Sequence, residues 1–371
     1  MTNAPQSRPW WHPRRLLHPV PAAAVAGALL CGTAVAWQTD AGPFAADEVC
    51  WDALDRDALS PIIEAPDKLD AAELPPVGGR APADGRLNGI CRLSNEGERS
   101  TETLFTARVH RLSGGRYGAS GEWARDFLSG RMSTLGSGLL GMASDERAWL
   151  ALPDGCYGRP PELEGPTVVD VSGPYLRPGE DVDAGKRDAL ARLVVELVNA
   201  VSADLGCGGV IPDPVDDMPQ PPRYAGSDEP GAFCGIDGLR PPSGRRADGF
   251  RSLVTTGHGP VRTCDEYYGD QESGLRLMTV EDPRLAGIYT YELLHGGTRI
   301  RGGTGYGSLR GDAGVFGAEC QTGRVVFLVE VENADDSPDQ VRALLARYAE
   351  AEAERLGCGP PELKLPRPRP E

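Results

Sequence analysis

One long stretch of this chain carries apolar residues at alternating spacings of three and four. Over 184–205, Leu190, Leu193, Val194, Leu197, Val198, Val201 and Leu205 fall on a single stripe. That spacing predicts a helix packed on one side, and Gly206 is the expected stop. A second helix is predicted over 338–356. Ser337-Pro338-Asp339-Gln340 opens it as a capping box with proline at the first helical position, and Gly357 ends it. Elsewhere the period falls to two. Over 104–112, Phe105, Ala107, Val109 and Arg111 alternate against Leu104, Thr106, Arg108 and His110, which predicts a strand. Further strands are predicted at 87–93, 149–152 and 167–171. In the second half they are predicted at 252–256, 274–280, 287–294, 298–301 and 324–331. His295-Gly296-Gly297 reads as a hairpin turn between two of these. Residues 50–59 read as a short helix ending before Pro61.

Eight cysteines follow this pattern in two matching sets of four. Cys50, Cys91, Cys156 and Cys207 form the first, and Cys234, Cys264, Cys320 and Cys358 the second. The fourth member of each set lies in the same tetrapeptide, Leu205-Gly206-Cys207-Gly208 and Leu356-Gly357-Cys358-Gly359. Each tetrapeptide closes a helix that follows a valine-rich strand. The expected fold class is therefore α+β: two tandem repeats of an antiparallel sheet with a C-terminal helix on one face. The boundaries are repeat 1 at 46–209, a proline-rich acidic linker at 210–230, repeat 2 at 231–362 and an unstructured tail at 363–371. The linker holds six prolines with Asp213, Asp216, Asp217, Asp228 and Glu229, a stiff and semi-extended composition.

Each set of four cysteines permits three pairings. Chain geometry favours one. A strand over 323–331 advances about 3.3 Å per residue, and a helix over 338–356 returns at about 1.5 Å per residue. The two legs nearly cancel, bringing Cys358 back to Cys320. The same return brings Cys207 to Cys156. Elimination leaves Cys50 with Cys91 and Cys234 with Cys264. No close C-x(2–4)-C pair exists for zinc.

Residues 19–37 form a nearly unbroken apolar run behind Arg8, Arg14 and Arg15. The length is about enough to span a bilayer, and the basic leader 1–18 would stay in the cytoplasm. A single-pass signal-anchor in the cytoplasmic membrane is the reading preferred here. Cleavage after Ala34-Val35-Ala36, giving a secreted chain, is the alternative. A lipoprotein centred on Cys31 fits less well, because Leu30 precedes it where a small residue is needed. All three readings export the chain, where paired cysteines are expected. Cys31, the ninth cysteine, falls in the apolar run and is expected to stay unpaired.

Charge narrows the partners. The net charge is −16 at pH 7, and residues 1–37 carry three arginines and no acid, leaving −19 on the rest. A chain this acidic repels nucleic acid. Arginine outnumbers lysine 35 to three, which reads as coding bias rather than as a nucleic-acid surface.

Candidate chemistry is sparse. His12 and His18 lie in the leader, leaving His110, His258 and His295 outside it, and no G-x-S-x-G elbow is present. Gly136-Ser137-Gly138-Leu139-Leu140-Gly141 matches G-x-G-x-x-G by letter but leads into a strand rather than a helix. Gly302-Gly303-Thr304-Gly305-Tyr306-Gly307 is its partner in the second half, and a shared structural loop explains both. Acids cluster at Asp52-Asp55-Asp57, Glu180-Asp181-Asp183 and Asp335-Asp336-Asp339, without an EF-hand pattern. The last two read as helix-start acids. No catalytic residue, cofactor or metal ligand is therefore assigned. Tyr267, Tyr268, Tyr289 and Tyr291 are the candidate binding platform, the last two expected on one face of a strand.

The order of a leader segment, a cysteine near a short helix, a cysteine on a strand, and a strand–helix unit ending Leu-Gly-Cys resembles cysteine-paired extracytoplasmic domains of unknown function in actinobacterial cell envelopes, some of them lipoproteins. The resemblance spans 46–362 and implies no catalytic residues. The function expected is a membrane-anchored, non-catalytic binding or interaction protein, with an envelope protein or small ligand as partner. The alternative is a secreted or surface hydrolase, or a regulator of one, using carboxylates in one repeat.

Overall fold

The computed structural model describes residues 48–76, 87–96, 101–113, 119–136, 138–156, 164–174, 179–226, 232–240, 250–268, 271–331 and 338–366. The leader and the apolar run lie outside these, as do Cys31, Asp335 and Asp336. Among the described residues no helix is long and apolar enough to cross a membrane.

The fold is mixed α+β and dominated by two antiparallel sheets. The first contains β1 (Asp70–Leu74), β2 (Asn88–Glu96), β3 (Thr101–Ser113), β4 (Ser133–Thr134), β5 (Gly141–Ala143), β6 (Arg147–Ala151) and β7 (Glu164–Ser172). Their spatial order is β1-β2-β3-β7-β6-β5-β4. Helix α1 (Ala119–Phe127) connects β3 to β4, and α2 (Ala184–Asp204) follows β7. The second sheet contains β8 (Ala225–Gly226), β9 (Phe250–Val254), β10 (Val261–Tyr268), β11 (Gln271–Val280), β12 (Thr298–Arg301), β13 (Gly305–Leu309), β14 (Ala313–Cys320) and β15 (Gly323–Val331). Its order is β8-β9-β10-β11-β15-β14-β13-β12. Apart from the extra edge strand β8, it is the order of the first sheet. Short helices α3 (Pro283–Ala286) and α4 (Thr290–His295) connect β11 to β12, and α5 (Pro338–Arg355) follows β15.

Strand alternation gives each sheet two apolar faces, and the outer ones are covered by the long helices. Leu190, Val194, Leu197, Val198 and Val201 of α2 pack on Val169 and Val171 of β7 and Leu150 of β6. Val341, Leu344, Leu345 and Tyr348 of α5 pack on Phe327 and Val329 of β15 and Leu277 of β11. Asp183 caps α2, its side chain accepting from the Lys186 amide at 3.0 Å. The α5 contact is partly polar. The Tyr348 hydroxyl meets the Thr279 hydroxyl at 2.7 Å, and Glu352, almost fully buried, accepts from Arg262 and Arg355. Burial, reinforced by the Glu352 charge, raises the Tyr348 phenol far above its usual value.

The inner faces turn toward each other and share one core. Leu112, Trp123, Met142, Trp149 and Val168 from the first half join Val261, Met278, Val280, Ile288 and Leu328 from the second. Polar contacts tie the halves along this boundary. Asp265 accepts from the Gly130 amide at 2.7 Å and from Arg276 at 2.6 Å, and Arg276 also donates to the Arg125 carbonyl at 3.0 Å. The Thr263 hydroxyl donates to the Leu128 carbonyl at 2.6 Å.

Four disulfides form, Cys50–Cys91, Cys156–Cys207, Cys234–Cys264 and Cys320–Cys358. Each stabilises by about 2–4 kcal/mol, chiefly by restricting the unfolded chain. Cys50 and Cys234 both sit at positive φ, in the turns of the short hairpins Glu48–Val49/Leu54–Asp55 and Ala232–Phe233/Ile236–Asp237.

Several expectations are corrected. Residues 50–59 are not one helix. A turn at Cys50-Trp51-Asp52, all at positive φ, precedes a 3-10 turn at Arg56–Leu59. Glu73 sets that geometry from a distance by accepting from the Cys50 amide at 2.6 Å and the Trp51 amide at 2.8 Å. Residues 287–294 are not a strand, and His295-Gly296-Gly297 is not a hairpin turn. Asp282 caps the start of α3 with Pro283 at its first position, a helix-start signal. The buried positions Leu285, Ile288, Tyr289, Glu292 and Leu293 then recur at helical spacing. Gly297 ends the segment where a Cβ would lie 2.4 Å from the Leu309 carbonyl oxygen.

The segment 210–226 is fastened at both ends rather than free. Asn199 of α2 exchanges two hydrogen bonds with the Ile211 backbone, and β8 pairs with β9. The tail is not unstructured as far as Pro366: Lys364 bridges to Arg301 of edge strand β12, and Arg342 donates to the Pro366 carbonyl.

Candidate functional site

Side-chain alternation on the second sheet puts two kinds of row on its inner face. Met278 of β11, Leu328 of β15 and Val315 of β14 are cross-strand partners and form an apolar row. Two residues along, Asp265 of β10, Arg276 of β11, Glu330 of β15 and Ala313 of β14 form the next same-face row. That row is charged except at its end, where Ala313 contributes little bulk. Helices α3 and α4 lie over this face but leave a gap. The result is a cavity of about 590 Å³, within the size range of small-molecule sites.

The walls come from different elements. Ile288, Tyr289, Tyr291 and Glu292 supply one side, and Ala124 and Arg125 of α1 supply the other. Arg310 and Asp312, in the turn between β13 and β14, close the rim and pair at 2.7 Å. Arg276 is held by Asp265 at 2.6 Å. The Ser308 hydroxyl donates to the Glu292 carbonyl at 2.5 Å and fixes α4 to β13. His295 also lines the cavity, its ring 5.1 Å from that of Tyr291.

The four tyrosines singled out from the sequence separate into two pairs. Tyr289 is buried in the cavity wall and Tyr291 is half exposed at its mouth. Tyr267 and Tyr268 lie on β10, away from the cavity lining. Tyr267 is buried edge-on against Tyr224, and Tyr268 packs against Phe250. Sequence reasoning missed Met278, Leu328, Val315, Arg276, Glu330, Arg310 and Asp312. Only the period-two alternation of β11 and β15 could have put Arg276 and Glu330 on one face.

Other candidate chemistry resolves into structural roles. Asp170, buried on β7, accepts from Arg108 at 2.8 Å, His110 at 2.6 Å and Trp123 at 3.0 Å. Three donors on one carboxylate describe a fixed polar knot. His258 is exposed in a loop. Glu73 lies beside Cys50 and Cys91, but those sulfurs are bonded to each other and Glu73 accepts two backbone amides. The group therefore does not have the donors for a metal. The loop from Gly136 to Gly141 joins β4 to β5, and the loop from Gly302 to Gly305 joins β12 to β13, both between antiparallel strands. Neither begins a helix, so neither presents the amides of a phosphate cradle. Asp183 caps α2, and Asp339 pairs with Arg342 in the first turn of α5.

The chain matches no protein-family model, no curated protein and no solved structure.

Proposed function

We propose that this chain is an exported, membrane-anchored binding protein that takes a small ligand into the cavity between α4 and the second sheet and performs no chemistry on it. The cavity itself carries the reading. It combines an apolar floor with a polar rim, the usual composition of a ligand site, and it is walled by paired groups rather than by a nucleophile and its base. The four disulfides suit an oxidising compartment, and residues 19–37 supply the anchor. The two halves are read as diverged copies of one disulfide-stapled unit, at 46–209 and 231–362, the second having kept the binding space.

The test is fluorescence of N-phenyl-1-naphthylamine, a neutral apolar dye, with the purified chain from residue 38 onward. Saturable enhancement is expected, and Ala313→Phe, which fills the charged end of the cavity, should abolish it while the melting transition is kept. Dye binding that is unchanged in Ala313→Phe would overturn the assignment of the site. Turnover on ester, peptide or glycoside panels, lost on substituting Glu292, Asp312 or Glu330, would replace the binding reading with the hydrolase. For topology, protease added to intact, wall-stripped cells should degrade residues 38–371, and full protection would sink the anchor reading.

A further inference from the structure

The charges around the cavity specify what sort of molecule it takes. Three arginines, Arg125, Arg276 and Arg310, and three acids, Glu292, Asp312 and Glu330, line it, so the formal charges of these six cancel. They also alternate in space. Arg276 and Glu330 are cross-strand neighbours, and Arg310 pairs with Asp312 in the turn beside Ala313, the next residue of that row. A ligand with a net charge, stripped of water at this rim, meets a like charge beside every opposite one. Its desolvation is then poorly compensated. A head bearing both signs can set each against its opposite. Two residues further along the strands lies the apolar row Met278–Leu328–Val315, which has no use for a polar molecule.

We infer that the ligand is a zwitterionic amphiphile, with its hydrocarbon part on the apolar row and its dipolar head against Arg276, Glu330, Arg310 and Asp312. This rests on the cavity being the binding site, as proposed above, and adds the chemical class of its occupant.

The experiment is calorimetric titration of the chain from residue 38 onward with four decyl compounds, each below its micelle-forming concentration. They are zwitterionic N-decyl-N,N-dimethylglycine, anionic decanoate, cationic decyltrimethylammonium and neutral 1-decanol. The zwitterion should bind at least about tenfold more tightly than the other three, or about 1.4 kcal/mol. Glu330→Gln should erase that margin and improve decanoate, because the rim then carries one negative charge fewer. Ala313→Phe should weaken all four. First rank for decanoate or decyltrimethylammonium, or equal binding of 1-decanol, would overturn the head-group inference while leaving the cavity as the site. Binding of none of the four, where the dye still binds, would overturn the amphiphile class. Loss of dye binding as well would bring down the site assignment itself.

Discussion

The inner faces of the two sheets are built on the same strand order and yet end differently. On the first, aromatic rings fill the space between sheet and crossing helix. Trp123 of α1 stacks on Phe127 at 5.5 Å and meets Trp149 of β6 edge-on at 5.3 Å, while the Trp149 indole donates to the Phe127 carbonyl. On the second, the crossing helix pair places Tyr289 and Tyr291 to one side, and β14 offers Ala313 where bulk would close the gap. Both faces carry a buried carboxylate, Asp170 on one and Asp265 on the other. The first gathers donors from its own half. The second receives the Gly130 amide from the other half. One layout thus yields a solid interior or a hollow one, depending on whether large rings or small residues stand on the inner face.

The sharpest way to probe that difference is to empty the filled face. Trp149→Ala should cost about 3–5 kcal/mol in urea unfolding, the range for a large buried ring. Tyr289→Ala, at the wall of an existing cavity, should cost clearly less. Equal costs would mean that the cavity wall is packed as tightly as the aromatic face. Next in size is the tie between the halves. Asp265→Asn leaves Arg276 without its carboxylate and should cost about 3 kcal/mol. A loss below about 1 kcal/mol would show that the halves are held by apolar contact alone.

A smaller effect should appear in alkali. Burial raises the folded-state pKa of Tyr348 above its usual 10.0. Above pH 10 the unfolded chain releases this proton while the folded one keeps it. The unfolded state then binds fewer protons, and stability falls as pH rises. Below pH 10 the contribution is fully present. Tyr348→Phe should flatten the alkaline fall, and an unchanged slope above pH 10 would assign it to other groups. The smallest effect belongs to the cavity mouth. Tyr291→Ala should change stability by less than about 0.5 kcal/mol, because the side chain is half exposed. It should nevertheless weaken dye binding, and a variant that binds the dye as before would place the ligand deeper, against Tyr289.

The comparison also shows what a sequence displays and what it conceals. Helix α2 was legible because its outer stripe is apolar at strict spacing, and β3 because its alternation runs for nine residues. Two of the cysteine pairs followed from the near-equal lengths of strand and return helix, and the other two by elimination. The cavity was not legible. Strand β10 carries Arg262 and Asp265, charges that read as solvent-facing until Glu352 and the Gly130 amide meet them. Strands β13 and β14 are rich in glycine and give little alternation. The segment 287–294 contains Ile288, Tyr289, Thr290 and Tyr291, a strand-favouring run, and only the cap at Asp282-Pro283 just before it marked it as helical. The site lies where these ambiguous segments meet.

The disulfide connectivity has a consequence for biogenesis. Numbered along the described chain, the eight cysteines pair first with second, third with fourth, fifth with sixth and seventh with eighth. No native partner waits beyond an intervening cysteine. In the export proposed above, each odd-numbered thiol would meet its proper mate as the next one delivered. Oxidation in order of arrival would then give the native set of bridges without reshuffling.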